Sequence, residues 1–390
     1  MSQKNIIIQV ESLPELIRSQ TLLLKDIVSE TLSPKICRSI ERIITVGCGD
    51  SHMASIATEL AFEELSNIPT EPINSLPAAR YNIPALKIED PSKTLVIGTS
   101  VSGTVVRTRE ALSIASELGM TTLAITANTD SPFANTSKLT INCRVPDFID
   151  FPGVRSYRIS LVVLYLIAIR IAHAKHIITS EYANQLYQQI IDTSYAIEST
   201  FEKNIHITKD IAQQLKSEKH YIFVGHGPNY STSLFGAAKL LEAAGTHAVA
   251  QDTEEWGHLE YFTNIDPSTP TFLISPGYRS HERALEMLIP MNRIGRNTIC
   301  VFPETSKTAS NPHCNHLLPV SGKTPEIFTP LVYPVPLELF ADHLASEIGE
   351  SYFRDFAGLY DVNNLNPMNG NTIRTSQQIT LSDIPKSKHR

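Results

Sequence analysis

Tryptophan, cysteine and positive charge are all scarce in this 390-residue chain, and each scarcity narrows what it can do. Five cysteines (37, 48, 143, 300 and 314) are an odd number at irregular spacing with no CxxC pair, which fits reduced thiols in a cytoplasm. A net charge of −7 and a pI near 6.0 argue against nucleic-acid and anionic-membrane partners, because both need a basic face. The start, "MSQKNIIIQVESLPELIRSQ", has neither a long apolar core nor a small-residue cleavage site, so export is not expected. The longest apolar segment, "SLVVLYLIAIRIAHA" at 160–174, is interrupted by Arg170 before it can cross a bilayer and reads as a buried helix.

What the chain has is an ordinary globular composition, 42% hydrophobic and 19% charged, at a length suited to two domains or one double domain. It also repeats itself. "RIITVGCGDSHMAS" from Arg42 parallels "HYIFVGHGPNYSTS" from His220, with Gly47 and Gly225 lying 178 residues apart. "KTLVIGTSVSG" from Lys93 matches "TPTFLISPGYR" from Thr269, with Thr94 and Thr271 lying 177 residues apart, and "GMTTLAITANTDSP" from Gly119 matches "GRNTICVFPETSK" from Gly295, 176 residues on. In both halves short β-branched runs alternate with stretches of helical period such as "VVRTREALSIASEL" and "HERALEMLIPMNRI". That alternation predicts an α/β protein with parallel sheets and helices on both faces. The expected division is a helical arm at 1–40, α/β halves at 41–200 and 201–350, and a tail at 351–390.

Ligands of such sheets bind at the carboxyl ends of strands, so "VGCGDS", "GTSVSG" and "VGHGPN" are expected to line pockets. "GCGDSH" and "GHGPNY" lack the third glycine of a dinucleotide fingerprint, His52 and Tyr230 standing in its place, and no cofactor is expected. Thr99, Ser100, Ser102 and Thr104 fall where a strand feeds a helix. Hydroxyls and backbone N–H groups at such a place suit an anion, and equally a structural ST-turn with an N-cap. Lys239 and Glu242, three apart on a predicted helix, have the spacing of a solvated ion pair worth about 0.2–0.5 kcal/mol. "QDTEEWGHLEYF" at 251–262 packs four acids, His258 and the single tryptophan into twelve positions. Glu254 and Glu255 there suit a helix start, and His258 suits packing beside Trp256. A metal is not expected from Glu254 and His258, nor from His313, Cys314 and His316 in "NPHCNH", since neither set has enough ligands.

Taken together, "GCGDSH…GTSVSGTVVRT…FPGVRSYRIS" and "GHGPNYSTSLFGAAKLLEAAG…EEWGHLEYF…YPVPLELFADHLASEIG…DVNN" resemble the sugar isomerase (SIS) double domain. The likeness is to the isomerase half of glucosamine-6-phosphate synthase and to related fructosamine-phosphate deglycases, and it runs from "VESLPELIRSQ" to Asn364. The resemblance implies two tandem SIS domains and a cytoplasmic homodimer whose partner is a small-molecule sugar phosphate, with no nucleic acid and no membrane. It places Ser100, Ser102 and Thr104 in a phosphate-binding loop, with Ser51 and Ser156 facing the same pocket. Glu242 becomes the acid/base that moves a proton between C1 and C2, and Lys239 a lysine beside it. His258 becomes the ring-opening histidine that reaches the neighbouring subunit's site, and Glu255 a pocket residue. The activity implied is that of a sugar-phosphate or amino-sugar-phosphate isomerase or deaminase. A phosphosugar sensor without catalysis is the alternative.

The departures matter as well. No amidotransferase cysteine follows Met1, so glutamine hydrolysis is not expected. The family's tail lysine has no counterpart in "DVNNLNPMNGNTIRTSQQI", whose nearest cation is Arg374, and Lys386 and Lys388 lie further on. Asp50 stands where a threonine is common, Val105 replaces a loop threonine, and "HLEYF" replaces the frequent "HGP". Arg107 or Arg155 is the expected source of compensating charge.

Overall fold

The computed structural model describes residues 5–149, 153–263, 266–305, 311–350, 352 and 372–385. Three helices open it: α1 (Asn5–Glu11), α2 (Leu13–Thr31) and α3 (Pro34–Ser39). The elements that follow are β1 (Arg42–Gly47), α4 (Asp50–Ser66), β2 (Thr70–Asn74), β3 (Thr94–Thr99), α5 (Val106–Glu117), β4 (Thr121–Thr126) and β5 (Leu139–Asn142). Two long helices come next, α6 (Val154–Ala174) and α7 (Ser180–Leu215). The second series is β6 (His220–Gly225), α8 (Tyr230–Ala244), β7 (His247–Asp252), α9 (Thr253–His258), β8 (Pro270–Ile274), α10 (His281–Arg293), β9 (Asn297–Pro303), β10 (His316–Val320) and α11 (Val335–Ile348). A short helix, α12 (Thr372–Thr375), lies near the end.

The strands form two five-stranded sheets, ordered β2-β1-β3-β4-β5 and β7-β6-β8-β9-β10, and every pairing is parallel. Matched pieces of the repeat therefore occupy matched places, β1 with β6, β3 with β8 and β4 with β9. The central strands carry no apolar–polar alternation because they are covered on both faces: all six residues of β3 and of β4 are buried. Gly47 and Gly225 do the same work in the two sheets. A Cβ on Gly47 would lie 2.6 Å from the Ser51 backbone carbon, and one on Gly225 2.4 Å from the Asn229 carbonyl oxygen, so each strand end folds back on its own following turn only without a side chain.

The described residues fall into two compact units. One comprises 1–18, 147–158 and 189–355 and holds the second sheet; the other comprises 19–146, 159–188 and 356–390 and holds the first. In the first-sheet unit Val46, Val96, Leu112 and Phe133 belong to one apolar cluster, and in the other Val224, Trp256, Leu288 and Phe302 belong to a second. α6 is long and apolar enough to span a bilayer by length and composition, yet 89% of its apolar window is buried inside the protein, as expected from its sequence. All five cysteines are free.

Candidate functional site

In both sheets the strand order reverses between the first and third strands, and it is at the carboxyl ends beside such a switch point that parallel sheets bind ligands. In the first sheet those ends carry the loops after Gly47 and Thr99. Gly49 (φ 54°) turns the chain into α4, and Asp50 sits in that helix's first turn, where its charge is favoured by the dipole. Ser51, half-buried, follows on the same turn.

The loop after β3 is tightly braced. The Ser100 amide donates to the Ile125 carbonyl at 3.0 Å, and the Gly103 amide to the Ser100 carbonyl at 2.9 Å. Gly103 has φ 68°, and a Cβ there would meet Ser131 Oγ at 2.3 Å, so the turn requires glycine. Ser102 Oγ lies 2.8 Å from Thr104 Oγ1 and accepts from the Thr104 amide at 3.3 Å, the ST-turn that serine- and threonine-rich loops form. The N-cap half of that structural reading is missing, because α5 is preceded by Val105 and no side chain caps it. Thr99 and Ser100 are only 1% and 2% exposed, and their hydroxyls have no hydrogen-bond partner among the described residues. A buried hydroxyl left unpaired costs about 1–3 kcal/mol, which a ligand accepting from it recovers.

Arg107, one candidate for extra cationic charge, is committed elsewhere. It pairs with Glu110, donates to Ser376 Oγ at 2.9 Å and also bonds the Gln377 carbonyl. Arg155 belongs to the other unit, where it donates to Ser12 Oγ at 2.7 Å and stacks 4.3 Å from the Phe148 ring centroid. Burial pulls its guanidinium pKa down.

The other unit holds Ser156, Lys239, Glu242, Glu255 and His258. Lys239 lies on α8 with its side chain 0% exposed, its amine 4.8 Å from the Phe235 ring centroid and 2.6 Å from Glu242 Oε2. Glu242, 28% exposed, accepts on that same oxygen from the Tyr352 hydroxyl at 2.5 Å. Two donors on one oxygen fix the carboxylate's orientation. A solvated surface pair does not bury its ammonium, so burial separates this pair from the one its spacing allows. Ser156 Oγ, on the first turn of α6, donates to the Gly153 carbonyl at 2.8 Å.

The acid-rich stretch at 251–262 divides its work. Asp252 caps α9 by accepting from the Glu254 amide at 2.8 Å, and Glu254 holds Arg283 through both oxygens at 2.7 and 2.8 Å. Hydrogen bonding from Arg283 keeps the Glu254 carboxyl below its usual range. Trp256 is fully buried and anchors the turn in the core. Glu255 is exposed, and His258 is 68% exposed with Glu254 Oε1 3.7 Å from its Nε2. Leu259, Tyr261 and Phe262 beside it are also exposed. No cluster of histidine, cysteine and acidic side chains among the described residues could hold a metal.

The second sheet's first loop, "VGHGPN", is closed by its own protein partners rather than open to a ligand. His226 Nδ1 lies 3.0 Å from Thr253 Oγ1, and Asn229 Nδ2 donates to Thr329 Oγ1 at 2.7 Å. Burial lowers the His226 pKa. Tyr352 carried no signal in the sequence, and residues 353–371, with the whole "DVNN…GN" stretch, lie outside the described residues. Arg374, on α12, is exposed.

The SIS domain family model matches residues 36–170, which takes in the whole first sheet and both of its loops. Among curated proteins, glutamine–fructose-6-phosphate aminotransferase [isomerizing] of Gloeobacter violaceus is 29% identical over 318 residues, 82% of this chain and 51% of that protein. The Thermococcus kodakarensis protein of the same name is 25% identical over 306 residues, 78% of this chain and 49% of its own length. The chain thus spans about half the length of the curated relatives it matches. Among solved structures, the C-terminal domain of glucosamine-fructose-6-phosphate aminotransferase from Francisella tularensis shares the fold with a TM-score of 0.78 at 19% identity, covering 89% of this chain and 97% of that one. Glucosamine-6-phosphate deaminase from Thermotoga maritima shares it with a TM-score of 0.67 at 20% identity, covering 89% of this chain and 95% of that one.

Proposed function

We propose that the protein is a sugar-phosphate or amino-sugar-phosphate isomerase or deaminase built from two tandem SIS domains, in which Glu242 moves a proton between adjacent sugar carbons. The buried Lys239 amine bonded to Glu242 is the observation that carries this reading. A carboxylate held in one orientation by Lys239 and Tyr352 is suited to taking a proton from one carbon and returning it to the next. Lys239, tied to that carboxylate, acts as a positioning residue. Ser100, with Ser51, Ser102 and Thr104, takes the phosphate and sugar hydroxyls, and the Ser100 hydroxyl, unpartnered among the described residues, supports that assignment. His258 opens the sugar ring and Glu255 contributes to the pocket. The exposed corner around His258, with Leu259, Tyr261 and Phe262 on the surface, supports a homodimer in which this histidine serves the neighbouring subunit. The proposed setting is the cytoplasm.

The test is proton exchange in heavy water. The wild-type chain with fructose 6-phosphate or glucosamine 6-phosphate should incorporate deuterium into the sugar. Glu242→Gln should lower that incorporation by about 10²–10⁴-fold, the usual share of general acid–base catalysis, while the sugar phosphate still raises the melting temperature. Undiminished exchange in the variant removes Glu242 from the mechanism. Thermal stabilisation of the wild type without any exchange establishes the sensor instead.

A further inference from the structure

The second sheet has an opening of its own that the proposed chemistry does not use. A cleft of about 600 Å³ lies at the carboxyl ends of β8, β9 and β10, and its walls include Tyr278, His281, Glu304, Lys323 and Tyr333. The segment after β8 is the repeat's counterpart of the loop after β3, and a volume of this size is ordinary for a small-molecule pocket.

Tyr333 is the informative residue. It is 4% exposed and lines the cleft, yet its hydroxyl makes no hydrogen bond among the described residues. The neighbouring Tyr278 hydroxyl, by contrast, donates to the Thr324 carbonyl at 2.5 Å. His281 is held against the wall by its Nδ1, 2.8 Å from Ser275 Oγ, so Nε2 is the ring's remaining polar atom. Lys323 is the one basic side chain among the lining residues, and Glu282 stands in the first turn of α10. Glu304 is the one carboxylate among the lining residues, and it is engaged by Lys203 and by Ser321 Oγ at 3.2 Å. Lys323 is exposed and has no ion-pair partner among the described residues. The helix α10 starts at His281 itself, and its N-cap, Ser280, makes no side-chain bond to it.

We propose that this cleft is a second binding site, for a phosphomonoester of a sugar. Lys323 and the amide groups at the start of α10 take the phosphate, and the Tyr333 hydroxyl and His281 Nε2 take hydroxyls of the sugar. This site does not depend on the Ser100 loop or on Glu242.

The experiment reads Lys323 directly. The double variant Ser100→Ala/Ser102→Ala, in which the first loop is disabled, is acylated with an amine-reactive ester, and the rate at Lys323 is followed by mass spectrometry with glucose 6-phosphate or glucose present. Glucose 6-phosphate should slow acylation at Lys323 at least fivefold, glucose should not, and Tyr333→Phe should raise the concentration needed for half-protection about tenfold. No protection by the phosphate, equal protection by glucose, or protection seen in the wild type and lost in the double variant overturns the proposal. Failure of the Glu242 test leaves this result unaffected.

Discussion

Glu59 stands in the middle of α4, the helix that leaves the β1 loop, and burial together with Glu63 and Glu71 pushes its carboxyl up to about 6. A raised acid pKa means that the folded chain keeps a proton the unfolded chain releases. Stability therefore falls as the pH rises from about 4.5 to about 6, and the penalty persists above that window. Glu59 is only partly buried, so solvent screening reduces the full effect of the shift to about 1 kcal/mol. Glu59→Gln should stabilise the protein by about that amount at pH 7 and by nothing at pH 4, as urea titrations at the two values would show. The pair Lys239 and Glu242 marks where single-residue reading stops. Its spacing is on the page in the sequence, but whether the ammonium is wet or buried depends on what packs over α8, and no local pattern reports that. Ser100 is similar: a hydroxyl-rich turn is legible, whereas its missing partner becomes visible only once the loop's other hydrogen bonds have been placed.

Residues 376–384 are extended apart from one 3-10 turn, Leu381–Asp383. They lie along α5, held at Glu110, whose carboxylate is 0% exposed and also binds Arg80 and Arg107. The Ile379 amide donates to Glu110 at 3.1 Å, the Leu381 amide to Glu117 at 3.2 Å, and Arg109 Nε to Gln378 at 2.9 Å. Leu381 and Ile384 pack on the core of the first sheet. Nothing in the polar "RTSQQITLSD" signals this docking, because its bonds are backbone amides meeting distant carboxylates and polar groups meeting distant arginines. Glu110→Gln should cost about 2 kcal/mol, less than breaking a fully buried pair because both arginines are partly exposed. Truncation after Thr375 should cost a similar amount, and in denaturant titrations the two changes together should cost clearly less than their sum. Additive losses would mean that Glu110 and the segment stabilise the unit separately. The strands at the heart of each sheet, in contrast, were legible: β1, β3, β4, β6, β8 and β9 all fall inside the repeated pieces, whereas β2, β5, β7 and β10 carried no such mark.

Across the whole chain, the repeat was the strongest signal in the sequence, and the two sheets bear it out in the same strand order. What the repeat concealed is asymmetry: "VGHGPN" was expected to line a pocket like its counterpart and is instead filled by Thr253 and Thr329. The homodimer reading makes a prediction at this scale. Mixing equal amounts of Glu242→Gln and His258→Ala chains should restore up to about a quarter of wild-type activity through heterodimers that carry one intact site, and no recovery after verified subunit exchange would confine the histidine to its own chain. Trp256, finally, makes the protein its own optical instrument. It is the chain's single indole, it is fully buried, its Nε1 has no partner among the described residues, and it stands two residues from His258 and edge-on to Tyr261 at 6.3 Å. Its emission should be blue-shifted in the resting protein, and any change on adding a sugar phosphate would report movement in this one corner, in real time and without a label.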